Sequence, residues 1–188
     1  SIENFVSEIP NLAYTHSVVR KLTTKSTKLI KMRDCIFCEI INENREKEQV
    51  VFENEEFIVL TDKFRKTSVG SICLIIPKKH KKNILELTET DGKEIIPLIN
   101  IVSKAMQKAY NCNGIRIWTA VNKEAGQSIF HCHIHVLACN SVKDRIIANF
   151  PGIYDLKKRI LGKCELSESL NFKLAEKIRN EIKILEKI

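Results

Sequence analysis

Apolar residues along this chain change period several times, and each change marks an element. The runs VVFEN and EEFIVLTD, within residues 50–62, flank a polar Glu53-Asn54-Glu55-Glu56 stretch and predict a hairpin. GSICLIIP, residues 70–77, is a β-branched run opened by Gly70 and closed by Pro77, and predicts a strand. From Thr88 the period lengthens. Ile95, Leu98, Ile99, Val102, Ala105, Met106 and Ala109 follow helical spacing, and Thr88 with Asp91 supplies a start signal. Pro97 conflicts with that helix, because an internal proline removes a hydrogen bond and crowds the preceding turn; a kink or a late start is expected. IRIWTAV (115–121) and IFHCHIHVLA (129–138) predict two further strands. Leu170, Leu174, Ile178, Ile182 and Leu185 then form one apolar stripe, predicting a C-terminal helix over about 167–187 that docks on the same domain's core. Five strands and one long helix read as α+β, a mostly antiparallel sheet with helical cover.

This pattern divides the chain into a basic N-terminal extension (1–33), a compact domain (34–140) and a C-terminal extension (141–188). The N-terminal zone, with RKLTTKSTKLIKMR, reads as a tail, a docked arm or the remnant of a basic targeting segment. Of the net charge of +8, seven excess charges lie before residue 35 or after residue 140. Such flanks attract acidic partners at long range, but a solvated lysine-rich surface is the simpler reading. No apolar run approaches the ~18–20 residues a bilayer span needs. Nor does the chain open on an apolar signal segment with a small-residue cleavage site. Seven cysteines in a chain rich in Ile, Leu and Val fit a reducing cytoplasm better than a disulfide scaffold.

The chemistry concentrates near 119–140. His131, His133 and His135 recur at every second residue, so on a strand their imidazoles share one face while Cys132, Ile134 and Val136 face the core. One histidine there would be structural or incidental; three at period two carry a desolvation cost without packing gain and point to a site. Such a row can bind a catalytic metal. It can also attack phosphorus, one imidazole forming the covalent bond while a neighbour orients it or holds phosphate oxygens. The second reading is favoured by Gly126-Gln127-Ser128, whose backbone N–H groups and hydroxyl can cradle a phosphate, with Asn122 upstream. No carboxylate occurs from Ala125 to Val142 to serve a metallohydrolase. Cys35-Ile36-Phe37-Cys38 is a weaker signal, open to metal, redox or packing readings. As metal ligands the two thiols need two more, and His80 and His131 are the candidates.

CIFCEII, LIIPKKH and AGQSIFHCHIHV, in that order and at these separations, resemble the histidine-triad (HIT) superfamily of nucleotide hydrolases and transferases, from Cys35 to about Cys139. The resemblance implies a five-stranded antiparallel sheet with a long helix and a short N-terminal helix, plus here a C-terminal helical extension. It implies a homodimer, with the 88–110 helix and the 115–121 strand at the interface. His133 then matches the nucleophile and His135 a phosphate-binding partner. Asn122, Gly126, Gln127 and Ser128 match phosphate and leaving-group contacts, and Asp62 the acidic residue on the ribose hydroxyls. In zinc-bearing members the counterparts of Cys35, Cys38, His80 and His131 hold a structural zinc, with no catalytic metal required.

Two departures bear on substrate. After Asp62 family members commonly carry a proline-containing loop ending in Gly-His; this chain has Lys63–Ser71, without proline, and Ser71 stands in place of the histidine. The sequence after Val136 also leaves the pattern of the best-known branch. The expected activity is cleavage at the α-phosphate of a nucleoside 5′-phosphate derivative, a phosphoramidate or dinucleoside polyphosphate, through a nucleotidyl-histidine. Two alternatives are a DNA-adenylate hydrolase of the repair branch, for which Cys164 stands alone where a zinc finger would follow, and a non-catalytic nucleotide-binding regulator. The flanks carry no catalytic constellation and are expected to be dispensable for chemistry.

Overall fold

The computed structural model describes residues 35–43, 47–66, 70–142, 144 and 167–187. A short helix α1 (Ile36–Asn42) precedes a hairpin of β1 (Val50–Glu53) and β2 (Phe57–Lys66). The turn between them is held by Asn54, whose side-chain oxygen accepts from the Glu56 and Phe57 amides. β3 (Ser71–Pro77) is buried along its whole length, as a central strand covered on both faces must be. Helix α2 (Glu89–Tyr110) follows, then β4 (Gly114–Trp118), β5 (Ile134–Cys139) and helix α3 (Glu168–Leu185). The strands form one antiparallel sheet in the order β1-β2-β3-β5-β4. The expected five-stranded α+β architecture is the one observed.

α2 starts where the sequence placed it. Thr88 caps it, with a reciprocal capping box to Asp91. The helix neither starts late nor stops at Pro97, which lies inside it. Pro97 is exposed and so is Lys93, whose carbonyl loses its partner and stands on the solvent side. Asp91 also pairs with Lys81, both side chains being nearly buried. Burial works against the Asp91 carboxylate, but hydrogen bonds from Lys81 and Thr88 outweigh it and hold the group at about 2.

One face of the sheet carries the main core. Val59, Cys73, Ile75, Ile134 and Val136 meet Ile95, Leu98, Val102, Ala105 and Met106 of α2. α3 closes the same core with Ala175, Ile178 and Ile182. Of the expected stripe, Ile178 and Ile182 are buried and Leu174 and Leu185 pack against the core; Leu170 is exposed, and Asn171 and Ala175 are buried beside them. Arg179 of α3 donates to the carbonyls of Glu48 and Val50, closing the outer edge of β1. Tyr110 packs flat against Gly70, where a Cβ would fall 2.3 Å from the ring, and its hydroxyl donates to the Leu174 carbonyl.

The C-terminal helix therefore docks on the same core, as its apolar stripe predicted, and its removal would uncover α2 and the hairpin. Replacing fully buried Ile178 by alanine should cost about 2–5 kcal/mol of stability, read as a lower urea midpoint at unchanged slope. A loss under about 0.5 kcal/mol would mean that α3 does not pack there.

Candidate active site and metal cluster

β5 begins at Ile134, not at residue 129, so only His135 of the three histidines lies in the strand. Residues 127–133 do not join the sheet because their hydrogen bonds go to the segment leaving β3. Cys132 N–H donates to the Lys81 carbonyl at 2.6 Å, and the Gln127 side-chain amide donates to the Lys82 carbonyl at 2.6 Å and to that of Ile129 at 3.1 Å. The alternation nevertheless survives: Cys132, Ile134 and Val136 are buried. Burial pushes the Cys132 thiol up to about 11, which keeps it protonated and removes it as a nucleophile.

The three imidazoles sit in two environments. His131 is fully buried, and its Nε2 lies 2.8 Å from the Pro77 carbonyl. A carbonyl can only accept, so Nε2 carries the proton and Nδ1 keeps its lone pair. That Nδ1 lies 3.5 Å from Cys38 Sγ, and His80 Nδ1 lies 3.1 Å from the same sulfur. Ligand atoms of Cys35, Cys38, His80 and His131 all fall within 4.8 Å of one another. Ligands around a tetrahedral zinc stand ~3.5 Å apart, so the set fits that ion in number, donor type and spacing. Burial, reinforced by His80 and His133, lowers His131 to about 4, leaving the neutral imidazole that a metal requires.

His133 and His135 are half-buried, and their rings meet edge to face at 4.9 Å. His133 Nδ1 lies 2.6 Å from the carbonyl of His131. By the same argument Nδ1 is the protonated nitrogen and Nε2 holds the lone pair. The His133 carbonyl accepts from Thr119 Oγ1 at 2.9 Å. Phe37 of α1 packs beside both His131 and His133, with ring centroids at 5.8 and 5.2 Å. His135 pairs across the sheet with Leu74 of β3 and Trp118 of β4. Leu60 pairs with Leu74 in turn, so Asp62, two residues along β2, lies on the same sheet face as His135.

The Gly126-Gln127-Ser128 turn is held by its own hydrogen bonds. Gly126 has φ 87° and its N–H donates to the Lys123 carbonyl, while Gln127 N–H donates to that of Asn122. The Gln127 side chain is buried, and its oxygen accepts from Asn122 N–H. Gly126 and Gln127 thus spend these groups building the turn rather than facing a ligand, since a tight loop must first satisfy its own amides. Ser128 is exposed at its mouth, as is Asn122. Ser71, in place of a histidine, is buried and donates to the Asp62 carbonyl at 3.2 Å.

A model of the HIT domain matches residues 43–142, more than half of the chain. The chain belongs to the HIT family. An uncharacterized HIT-like protein of Saccharolobus solfataricus is 34% identical over 116 residues, 62% of this chain and 81% of that one. Among solved structures, a hypothetical histidine triad nucleotide-binding protein from Sulfolobus tokodaii is similar, with TM-score 0.63 and 30% identity over 81% of this chain and 94% of that one. A zinc-bound histidine triad family protein from Mycobacterium smegmatis shares the fold, with TM-score 0.63 at 19% identity over 83% of this chain and 98% of that one. α3 lies beyond the matched residues and packs on the same core.

Sequence reasoning missed Phe37, Trp118, Lys81 and Lys82 as parts of the site. Trp118 carried a signal, being the chain's single tryptophan at the end of a strand. The two lysines carried none, since their backbone carbonyls, not their charges, hold the histidine segment.

Asn122 adopts φ 66° and ψ 169°, a region that glycine alone enters without strain. Asn122→Gly should therefore stabilise the protein by about 1 kcal/mol, strain relief exceeding the added freedom of the unfolded chain. Thermal unfolding would show a higher Tm. Destabilisation would mean that the asparagine side chain itself holds the turn.

Proposed function

We propose that this HIT protein is a nucleotide hydrolase cleaving the α-phosphate bond of a nucleoside 5′-phosphate derivative, such as a phosphoramidate or a dinucleoside polyphosphate. The observation that carries the reading is the 2.6 Å contact from His133 Nδ1 to the His131 carbonyl. It fixes Nδ1 as the donor nitrogen, so that the lone pair of the neutral tautomer lies on Nε2, where it can attack phosphorus. Nε2 forms a bond to the α-phosphorus, and the bond to the leaving group breaks with its electron pair. Water then attacks the nucleotidyl-imidazole, breaking the N–P bond and releasing the nucleoside monophosphate. His135, beside His133, holds the phosphate oxygens; Ser128 at the loop mouth serves the leaving group, and Asn122 the phosphate. Asp62 binds the ribose hydroxyls from β2. We further infer a homodimer through α2 and the edge strand β4. No helix among the described residues is long and apolar enough to cross a membrane, and a cytoplasmic enzyme acting on small nucleotides fits that.

Cys35, Cys38, His80 and His131 would hold a zinc ion whose part is to cross-link α1, the end of β3 and the histidine segment. Protein purified without chelator or added metal should carry about one equivalent of zinc per chain. A metal-free protein that keeps its fold and stability would remove the zinc from this reading and leave packed thiols.

His133→Asn should lower turnover by about 10⁴-fold or more, while AMP affinity changes far less. The assay should set adenosine and guanosine phosphoramidates, dinucleoside polyphosphates and adenylated DNA side by side. Rapid quenching of the wild type should trap a nucleotidyl group on His133. Near-normal turnover of the variant, or an adduct on another residue, would sink the mechanism. AMP binding without turnover on any substrate would leave a regulator instead.

A further inference from the structure

Trp118 stands directly opposite His135 in the β4–β5 register, and their rings are stacked, with centroids 4.5 Å apart and planes 5° from parallel. Nothing in the fold requires this. A histidine's χ2 torsion is broad and roughly two-fold, so an imidazole half-exposed on a strand can turn in place. A flat indole pressed on its face removes that freedom and leaves one ring plane. The indole is braced in turn. Arg116, two residues earlier on the same face of β4, places its guanidinium carbon 5.4 Å from the Trp118 ring centroid. On its other side His135 meets His133 edge to face at 4.9 Å, and Phe37 packs 5.2 Å from His133. An unbroken row of rings therefore runs from the outer strand to the proposed nucleophile.

We propose that Trp118 is a positioning residue of the site: its indole fixes the ring plane of His135, and so aims that histidine's ring N–H at the phosphate held beside His133. The inference rests on the reading that His133 and His135 serve a nucleotide phosphate. Trp118 touches neither phosphate nor leaving group in this scheme. Its effect falls on the reaction step, where His135 must meet developing charge in one orientation, rather than on ground-state affinity.

Two variants separate a stacking role from bulk. Trp118→Phe keeps a flat ring over His135, whereas Trp118→Leu keeps apolar volume without a planar face. Trp118→Leu should lose roughly tenfold in kcat with KM little changed, and Trp118→Phe should recover most of that loss. The Tm of each variant, measured alongside, shows that it is folded. Equal losses in both variants, wild-type kcat in Trp118→Leu, or a change confined to KM would overturn the proposal. A second arm needs no turnover. Trp118 is the only tryptophan, so the emission of the full chain reports its contact with His135. Emission should rise in His135→Leu as the stacked imidazole is removed, and should respond to AMP in the wild type. Unchanged emission in His135→Leu would show that the rings do not stack in solution and would end the proposal. A wild-type chain whose emission behaves as expected but which turns over no substrate would instead count against the reaction.

Discussion

The site depends on three backbone carbonyls of one short segment. Pro77, Lys81 and Lys82 accept, respectively, from the His131 ring, the Cys132 amide and the Gln127 side chain. Those bonds take residues 127–133 out of the sheet's ladder and lay them against the end of β3. The accepting segment is itself immobilised. Lys78 N–H donates to the Glu56 carbonyl, Lys82 N–H to the Glu86 carboxylate, and the Lys81 ammonium pairs with Asp91 at the start of α2. Lys81 thus ties the first turn of α2 through its ammonium and the histidine segment through its carbonyl.

From that arrangement one motif yields two chemistries. His131 and His133 both donate one ring nitrogen to a carbonyl, but opposite nitrogens are used: Nε2 in His131 and Nδ1 in His133. The remaining lone pair of His131 is left on the side of Cys38 and that of His133 on Nε2. Burial decides the rest. A sealed imidazole held neutral among two thiols and His80 suits a structural ion, while a half-buried one beside a second imidazole suits a ligand from solution. His131 Nε2 bonded to Pro77 is also the kind of outer partner that fixes a ligating histidine's tautomer.

The two edges of the sheet are treated differently. β1 is shielded by α3, whose Arg179 occupies the carbonyls of Glu48 and Val50. β4 carries Ile117, 46% exposed, and ends in Trp118 against His135. Among the described residues β4 is the other edge strand, and it lies next to the histidines.

The elements were legible in the sequence because their signals are local. The β-branched apolar run over 70–77, helical spacing after Thr88 and the Thr88–Asp91 capping pair are properties of neighbouring residues, and the helix ran through Pro97 since the orphaned carbonyl faces water. The grouping of Cys35, Cys38, His80 and His131 was legible too, by resemblance and by donor type. The histidine strand was mis-bounded because its first residues find their hydrogen bonds in a segment some fifty residues away. Whether the Gln127 amide faces solvent or fills a loop depends on the Lys82 and Asn122 backbone, which periodicity does not reveal. The docking face of α3 was legible from its apolar stripe except at Leu170, which is exposed, and at Asn171, a polar residue that is buried. Sequence by itself thus determined which residues can do chemistry and which segments form elements, since side-chain type and periodicity travel with the chain. Tertiary structure alone decided which ring nitrogen keeps its lone pair, which amide is spent on a turn and which tryptophan face meets His135, because each rests on a partner brought from elsewhere by the sheet.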